Sequence, residues 1–270
     1  MGGHRSLGIK HYLLHFGYLA GRALLYKHDG FRHVIRESWS ELAQGTCYLD
    51  YGHYNLFKSL SKTMLKDKRF TVLDVGAYDG WFAKAITRFC PNTTVISYEP
   101  SRSQAGNLSQ CAAGLSGFSY YSCALSDRHG EALLHEYQAG FLNSLNLMLA
   151  GAYLHRSAKL AGEYVVPITT LDREAKRLGL FDKDILLKID VQGHELSVLR
   201  GASQLLEQAK VFCIIVELMN KRKYDGQALA AEIICFLQNQ GYEIYDLCPV
   251  YREQSGWTTE FDAVFIRNIA

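Results

Sequence analysis

The sequence contains no pair of cysteines at the CxxC spacing of structural zinc sites and redox centres. Its seven cysteines are an odd number and stand singly, in apolar stretches such as VFCIIVE (residues 211–217). This pattern argues against a structural zinc site and predicts reduced, buried thiols. We therefore expect a cytoplasmic protein, since disulfides are rare in that compartment. With four prolines among 270 residues and 48% hydrophobic residues, the composition is that of an ordinary globular protein.

The N-terminal part lacks an apolar run of the length that spans a bilayer, about 20 residues. Its most apolar stretch, YLLHFGYLAGRALLY (residues 12–26), is interrupted by His15 and Arg22, and no small-residue cleavage site marks a signal peptide. We interpret residues 1–65 as an N-terminal helical extension. Two roles stay open for it. It docks on the domain or on a second subunit of a homodimer, or it contacts a membrane surface or covers the acceptor as a basic amphipathic helix.

The chain also lacks a strong net charge, which is +2. Residues 1–40 carry six Lys/Arg against two acidic residues, a balance of +4 that leaves −2 for the other 230 residues. This is not the basic stripe of a nucleic-acid-binding protein, so we expect no nucleic-acid partner. The basic and aromatic residues near the N-terminus are compatible with a glycan, a glycolipid or an anionic metabolite.

From residue 70 onward, apolar segments of strand length alternate with helical patterns. Strands are predicted at TVLDVG (71–76), TVISYEP (94–100), SYYSCAL (119–125), DILLKID (184–190) and VFCIIVEL (211–218). The segment TTLDREAKRLG (169–179) predicts a helix capped by Thr169 or Thr170 and ended by Gly179. Such alternation predicts an α/β fold with a mostly parallel sheet that helices cover on both faces.

The turn after the first strand lacks the GxGxxG pattern of dinucleotide-binding proteins. It reads DxGxxxG, with Gly76 and Gly80 as its glycines and the bulky, acidic pair Tyr78 and Asp79 between them. Such a turn is poorly suited to a pyrophosphate. It suits a positively charged ligand without phosphates, and S-adenosylmethionine meets that description. Asp74 is expected to face its ammonium or sulfonium side, and Gly76 to let the backbone approach its methionine part.

An acidic residue ends the second strand. Glu99 lies 25 residues after Asp74, in the sequence SYEP. An acid at this position can accept hydrogen bonds from both ribose hydroxyls and disfavours a 2′-phosphate. Together with the DxGxxxG turn, Glu99 favours S-adenosylmethionine over a nicotinamide dinucleotide.

Charged residues occupy the end of a strand that should be buried. Lys188 and Asp190 are two positions apart, so both point to the same face, and an unpaired buried charge costs several kcal/mol. Glu217 ends the next strand. One interpretation is that Lys188 and Asp190 simply pair. The functional one is that Asp190 and Glu217 face the transferred methyl group and the acceptor.

The motifs VLDVGAYDGWFA, SYEP, ALSD with a following glycine, VPITTLD, LLKIDVQGHELSVLRGA and IIVE occur in this order. In this set the chain resembles the FkbM family of S-adenosylmethionine-dependent methyltransferases over about residues 70–247. The resemblance implies a class I methyltransferase fold, a Rossmann-like seven-stranded sheet of order 3-2-1-4-5-7-6 whose last hairpin is antiparallel. We assign residues 66–270 to the methyltransferase domain. The resemblance also implies O-methylation of a sugar, glycan or glycolipid, polyketide or similar natural-product hydroxyl.

Three residues are the predicted catalytic set: Asp190, His194 and Glu217. His194 is the candidate base if no metal is used, because imidazole titrates near working pH. Its other interpretation is a turn histidine exposed to solvent. Asp190 and Glu217 are also candidate ligands for Mg²⁺, a hard ion that prefers carboxylate oxygens. Glu195 is expected to cap amides at a helix start, and Asn143 and Ser144 to line the acceptor cleft. The predicted cofactor contacts are Asp74, Gly76, Ala77, Tyr78, Gly80, Trp81, Glu99, Pro100, Ser101, Cys123, Ala124 and Asp190.

Two other functions remain open at this stage. A non-catalytic protein that keeps the fold and only binds a partner would show decay of the cofactor loop or of the fourth-strand block, and both are intact. A methyltransferase acting on a protein or nucleic-acid nitrogen usually holds the amine with an (N/D)PP(Y) tetrapeptide. Here the fourth strand ends in DVQG instead.

Overall fold

The computed structural model describes residues 60, 65, 68–152, 158–208, 210–252 and 256–267. The predicted N-terminal extension, residues 1–65, lies almost wholly outside this part. Within these residues there are ten strands: β1 Thr71–Val75, β2 Thr94–Tyr98, β3 Phe118–Tyr121, β4 Ala124–Leu125, β5 Gly130–Tyr137, β6 Leu160–Thr169, β7 Asp184–Ile189, β8 Lys210–Met219, β9 Tyr242–Arg252 and β10 Thr258–Arg267. The α-helices of the described residues are α1 Trp81–Phe89, α2 Ala105–Gly114, α3 Leu171–Leu178, α4 Glu195–Arg200, α5 Ser203–Gln208 and α6 Ala230–Asn239.

Seven strands form one mixed, mostly parallel sheet in the order β3-β2-β1-β7-β8-β10-β9. In chain numbering this differs from the order implied by the resemblance, because β4, β5 and β6 belong to another sheet. Counted among its seven members alone, the order is 3-2-1-4-5-7-6. The first five members are parallel to one another, whereas β10 is antiparallel to both β8 and β9.

The second sheet has three strands in the order β4-β6-β5. Its strand β5 is antiparallel to β6. The prediction did not contain a separate sheet. Its residues Ala124, Leu134, Val166 and Ile168 form a small apolar cluster of their own. The second sheet therefore has an apolar cluster of its own. Residues of its strands β4 and β5 line, together with the turns at the carboxyl ends of the main-sheet strands, the cavity described below.

The sequence explains the elements that flank the site. All five residues of β1 and nine of the ten residues of β8 are buried, as apolar strands with helices on both faces should be. Helix α3 begins at Thr170, whose hydroxyl accepts a hydrogen bond from the amide of Arg173, and it ends at Gly179 in the left-handed conformation. Both ends of α3 are therefore as predicted.

The cysteines of the described residues, six in number, are all free thiols, and four of them are buried. Burial raises the pKa of the Cys213 thiol to about 12, which keeps it protonated. The exposed Cys235 is an exception to the expected burial. In the described part of the chain, no helix is long and apolar enough to cross a membrane.

The parallel register brings three turns together at the carboxyl ends of the parallel strands of the main sheet. Asp74 pairs with Ser97 on β2 and with Lys188 on β7. Beyond the strand ends, the amide of Gly76 donates to the carbonyl of Tyr98 at 3.0 Å, and the amide of Asp190 donates to that of Val75 at 3.0 Å. The turns that follow β1, β2 and β7 are thus fixed to one another by main-chain hydrogen bonds.

Candidate active site

A cavity of about 680 Å³, part of it open to solvent, lies at the carboxyl ends of these strands. Its walls come from the turns after β1, β2 and β7 and from the second sheet with the segment 140–145, which lies between β5 and β6. Eight of the predicted site residues line it: Gly76, Tyr78, Trp81, Glu99, Pro100, Ala124, Asp190 and His194. The described residues of its walls include two carboxylates and no lysine or arginine.

The turn after β1 needs its first glycine. Gly76 has φ +78°, and a Cβ at this position would lie 1.8 Å from the carbonyl oxygen of Asp190. No side chain fits there, because the clash is with backbone. Tyr78, two residues on, has φ +49°, and Gln192 in the turn after β7 has φ +54°. Within the described ranges these are the two non-glycine residues with positive φ, and both line the cavity.

Glu99 is held by main-chain amides at the end of β2. Its Oε2 accepts from the amide of Tyr78 at 2.9 Å and its Oε1 from the amide of Ser101 at 2.8 Å. Burial raises the pKa of Glu99 to about 7, although these two hydrogen bonds favour the carboxylate. Each oxygen has a lone pair left for a ligand hydroxyl. The side chain therefore faces the cavity in a fixed orientation.

Asp74 does not face the cavity as the sequence suggested. It is completely buried, with Oδ2 accepting from the hydroxyl of Ser97 at 3.0 Å and Oδ1 3.5 Å from Nζ of Lys188. Successive strand residues point to opposite faces, so Val75 and not Asp74 reaches the cavity wall. Burial raises the pKa of Asp74, and the charge of Lys188 opposes that shift.

Lys188 joins the turns after β1 and β7 from behind the cavity. Its Nζ donates to the carbonyl of Gly76 at 2.7 Å and lies 3.5 Å from both Asp74 Oδ1 and Asp190 Oδ2. Burial disfavours the charged amine, but the carboxylates of Asp190 and Asp74 outweigh it, and the pKa of Lys188 is raised. The pairing of Lys188 with Asp190, one of the two interpretations of this strand, is therefore present, together with Asp74.

Gln192 lies between the two predicted metal ligands. Its Nε2 donates to Asp190 Oδ1 at 2.9 Å and to Glu217 Oε2 at 2.6 Å. Glu217 is buried and is not part of the cavity wall. Burial, and next to it the negative charge of Asp190, raises the pKa of Glu217 well above its ordinary value. Within the described ranges, no group of three or more His, Cys, Asp or Glu side chains could hold a metal ion. The residues present do not fit the Mg²⁺ site expected at Asp190 and Glu217.

His194 lines the cavity and is oriented at both ring nitrogens. Its Nδ1 lies 2.8 Å from Oδ1 of Asn146, which can only accept, so we assign the proton to Nδ1. Its Nε2 lies 2.9 Å from the hydroxyl of Ser126. Burial lowers the pKa of His194 below its ordinary value. The ring is therefore neutral at pH 7, with Nε2 as its proton-accepting nitrogen.

Glu195 caps the start of α4, as predicted. Its Oε1 accepts from the amides of Gly193 at 2.9 Å and of Val191 at 3.2 Å. The side chain is buried, which raises its pKa to about 7. These contacts fix the turn that carries Gln192 and His194.

Several predicted cofactor residues do not line the cavity. Besides Asp74, they are Ala77, Gly80, Ser101 and Cys123. Asn143 and Ser144 line the cavity, as expected for an acceptor cleft. Residues that sequence reasoning missed are mostly apolar and lack a chemical signal: Val75, Tyr98, Leu125, Leu134, Gly140, Phe141, Leu145 and Val191. Gln192 had a signal, because a polar side chain followed a buried strand, but no role was assigned to it.

A glycine turn after β1, an acid after β2 and a seven-stranded sheet with an antiparallel end define the class I methyltransferase architecture. A family model described as "Methyltransferase FkbM domain" matches residues 74–244, more than half of the chain. The chain belongs to the FkbM methyltransferase family, as the motifs indicated. No curated protein matches it.

Solved structures similar to the chain include methyltransferases of low identity. Magnesium protoporphyrin IX methyltransferase from Synechocystis PCC 6803, with bound SAM, is 14% identical; 89% of this chain and 94% of that one are covered, with a TM-score of 0.44. The 1,6-didemethyltoxoflavin-N1-methyltransferase of Burkholderia thailandensis is 10% identical, with 94% and 89% covered and a TM-score of 0.44. A SAM-dependent methyltransferase from Aquifex aeolicus is 15% identical, with 78% and 97% covered and a TM-score of 0.39.

Proposed function

We propose that the protein is an S-adenosylmethionine-dependent O-methyltransferase that acts on a hydroxyl of a sugar, a glycan or glycolipid, or a natural-product metabolite. The observation that carries the proposal is the composition of the cavity wall. The described residues of that wall contribute Glu99 and Asp190 but no lysine or arginine. Such a wall offers a diphosphate no cationic side chain to pair with, whereas a cationic ligand that carries ribose hydroxyls is complementary to it.

The cofactor half of the cavity consists of the turns after β1 and β2. Gly76 keeps the backbone open, because any Cβ would meet the carbonyl of Asp190. Glu99 is held by the amides of Tyr78 and Ser101, so its free lone pairs are fixed for two ribose hydroxyls. Ala124, a small residue on β4, leaves room for a planar base. These features support the cofactor part of the proposal.

The acceptor half consists of the turn after β7 and the segment 140–145. Asn143, Ser144, Asp190 and His194 offer hydrogen-bonding groups there, which suits an acceptor with several hydroxyls. S-adenosylmethionine, when bound, supplies a methyl group on a cationic sulfur that leaves with the electron pair of the C–S bond. Asp190 orients the acceptor hydroxyl, whose oxygen forms the new bond to carbon.

His194 takes the proton of that hydroxyl in this proposal. Its Nε2 is the unprotonated nitrogen, since Nδ1 donates to Asn146. Nε2 contacts the hydroxyl of Ser126, and the hydroxyl of a bound acceptor can take the place of that hydroxyl. Because its pKa is lowered, His194 stays neutral and able to accept at pH 7. General base catalysis of this kind contributes about 10²- to 10⁴-fold to a rate.

The test is a calorimetric titration of S-adenosylmethionine and of its demethylated product, S-adenosylhomocysteine, into wild type and Glu99→Ala. We expect micromolar binding by wild type and a loss of binding by the variant. Glu131→Ala is the matched control, because Glu131 is an exposed acid on β5 that does not line the cavity. Its binding should equal that of wild type.

A folded wild-type sample, cleared of co-purified ligand, that binds neither compound would contradict the proposal and favour a non-catalytic binding protein. If binding is found, a screen of hydroxylated sugars follows. His194→Gln should then lower the methylation rate by about 10²-fold or more without changing affinity for S-adenosylhomocysteine. An unchanged rate would remove His194 from the mechanism.

A further inference from the structure

The side-chain amide of Gln192 occupies the space between two acidic side chains that come from neighbouring strand ends. One N–H of Nε2 points to Asp190 Oδ1 at 2.9 Å and the other to Glu217 Oε2 at 2.6 Å. An amide nitrogen has two hydrogens to donate, so this arrangement uses both. The two facing carboxylate oxygens are each satisfied by a neutral donor.

The position of Gln192 is fixed from every side. Its Oε1 lies 3.1 Å from the hydroxyl of Tyr224, and its carbonyl accepts from the hydroxyl of Ser144 at 2.7 Å. Its φ of +54° is one that non-glycine residues rarely adopt and that persists only where the surroundings impose it. Backbone strain of this kind at a cavity wall is typical of a residue with a functional role.

The same two oxygens are those that a bridging divalent cation would need. Mg²⁺ binds carboxylate oxygens at about 2.0–2.1 Å in an octahedral shell. Here an NH₂ group, whose hydrogens carry partial positive charge, lies within hydrogen-bond distance of both oxygens. A cation and this amide group exclude each other, because both need the same space and the same lone pairs.

We propose that Gln192 is a positioning residue that takes the place of a bridging cation between Asp190 and Glu217. It holds the Asp190 carboxylate toward the acceptor and connects it to Glu217 on β8. The methyl transfer of this chain is therefore independent of divalent cations. The inference rests on the proposed function for the role of Asp190, but the arrangement of the three side chains can be tested without an acceptor.

The experiment is a titration of the full-length protein with Mn²⁺, followed by the electron paramagnetic resonance signal of the free ion. Wild type, Gln192→Glu and Gln192→Ala are compared. Gln192→Glu places three carboxylates around one point, and we expect its affinity for Mn²⁺ to exceed that of wild type roughly 10- to 100-fold, because affinity follows the charge of the ligand set. Gln192→Ala, which only removes the amide, should gain a smaller increase. Adding Glu217→Gln to Gln192→Glu should remove the gain.

Gln104→Glu is the matched control, since Gln104 is also buried but donates to Ser103 and accepts from Asn107 instead of bridging two acids. It should bind Mn²⁺ no better than wild type. If Gln192→Glu is poorly folded without metal, Mn²⁺ should raise its unfolding temperature and leave that of wild type unchanged.

Two results would overturn the inference. In the first, wild type itself binds Mn²⁺ and loses that binding on Glu217→Gln, which would mean that the amide yields to a cation. In the second, both Gln192 variants fold and neither gains Mn²⁺ affinity. S-adenosylhomocysteine titrated into the same samples keeps the two proposals apart. Its failure to bind wild type contradicts the proposed function, whatever the Mn²⁺ titration gives.

Discussion

The two halves of the cavity are built by different kinds of contact. In the cofactor half, Glu99 accepts from main-chain amides of Tyr78 and Ser101, and its orientation depends on backbone alone. In the acceptor half, side chains hold side chains, as Gln192 does with Asp190 and with Glu217, 25 positions further on. A backbone-held site tolerates changes around it, whereas a site of interlocked side chains depends on the identity of each member. Substitutions in each half therefore test this difference.

The largest effect is expected where the two halves meet. Gly76→Ala places a Cβ 1.8 Å from the carbonyl oxygen of Asp190, at a residue with φ +78°. We expect a loss of more than about 4 kcal/mol of unfolding free energy, together with the loss of S-adenosylhomocysteine binding. Urea unfolding followed by circular dichroism measures the first, and calorimetry the second.

Gly106→Ala is the control for that substitution. Gly106 lies in α2, and a Cβ there has no atom within 4 Å. Gly106 lies in the first turn of α2, and alanine is a better helix former than glycine, so this variant should be at least as stable as wild type. A Gly76→Ala variant as stable as wild type would show that the two turns are not in contact in solution.

The second-largest effect is expected for Lys188, whose charge lies behind both halves of the cavity. Lys188→Met leaves Asp74, which is completely buried, without its cation, and should cost about 3–5 kcal/mol of unfolding free energy. Adding Asp74→Asn should recover part of that loss, with a coupling energy of about 0.5–3 kcal/mol in a double-mutant cycle. Urea unfolding of the four proteins gives the cycle.

Lys84→Met serves as the control, because Lys84 is exposed and donates to the carbonyl of Asp79 rather than pairing with a buried carboxylate. Its effect should stay within about 0.5 kcal/mol. Additive effects of Lys188→Met and Asp74→Asn would mean that their charges do not interact.

The third effect is a pH dependence of the cofactor half. The pKa of Glu99 is raised by burial from 4.5 to about 7. Because the folded state holds its proton more tightly, Glu99 contributes stability that is complete below pH 4.5 and is lost as pH rises through 7. Affinity for S-adenosylhomocysteine should change in the opposite sense and rise through pH 7, since the ionised carboxylate is the better acceptor. Glu99→Gln should weaken binding about 10-fold and abolish this rise.

Glu195→Gln separates the two pH effects. Glu195 also has a pKa raised to about 7, but it contacts main-chain amides and does not line the cavity. The variant should reduce the pH dependence of stability and leave that of affinity intact. Calorimetric titrations and unfolding curves on both sides of pH 7 check both statements. An affinity that is flat with pH in wild type would argue against contact between Glu99 and the cofactor.

The smallest effect is expected at the mouth of the acceptor half. The Phe141 side chain is 59% exposed and meets the ring of Tyr78 edge-on, with centroids 6.4 Å apart. Phe141→Ala should change the unfolding free energy by no more than about 0.5 kcal/mol. Its affinity for S-adenosylhomocysteine should equal that of wild type in the same titration. A clear loss of affinity would assign Phe141 to the cofactor half.

Sequence reasoning succeeded where a local rule decides the structure. The glycine at position 76, the acid at the end of β2, the caps of α3 at Thr170 and Gly179, and the cap at Glu195 each follow from their neighbours in the chain. The family and the seven-stranded, mostly parallel sheet were also predictable, because long motifs and apolar strands carry them.

Sequence reasoning failed where the structure depends on contacts between residues far apart in the chain or on a single backbone angle. Asp74 was placed in the cavity, but strand alternation and Lys188 keep it behind the wall. The bridge made by Gln192 depends on a positive φ that no residue pattern announces. The second sheet was missed as a unit because its strands are far apart in sequence, β4 ending at Leu125 and β6 beginning at Leu160.

The register of β1 against β7 also has a consequence for synthesis on the ribosome. Asp74 pairs with Lys188, which lies 114 positions later (188 − 74). At about 5–20 residues per second, roughly 6–23 s pass between the translation of the two residues. During that interval β1, β2 and β3 are made, yet the carboxylate of Asp74 near the end of β1 has no cation. The main sheet can therefore form around the carboxylate of Asp74 only after β7 has emerged from the ribosome. The cavity consequently forms late in the synthesis of the chain.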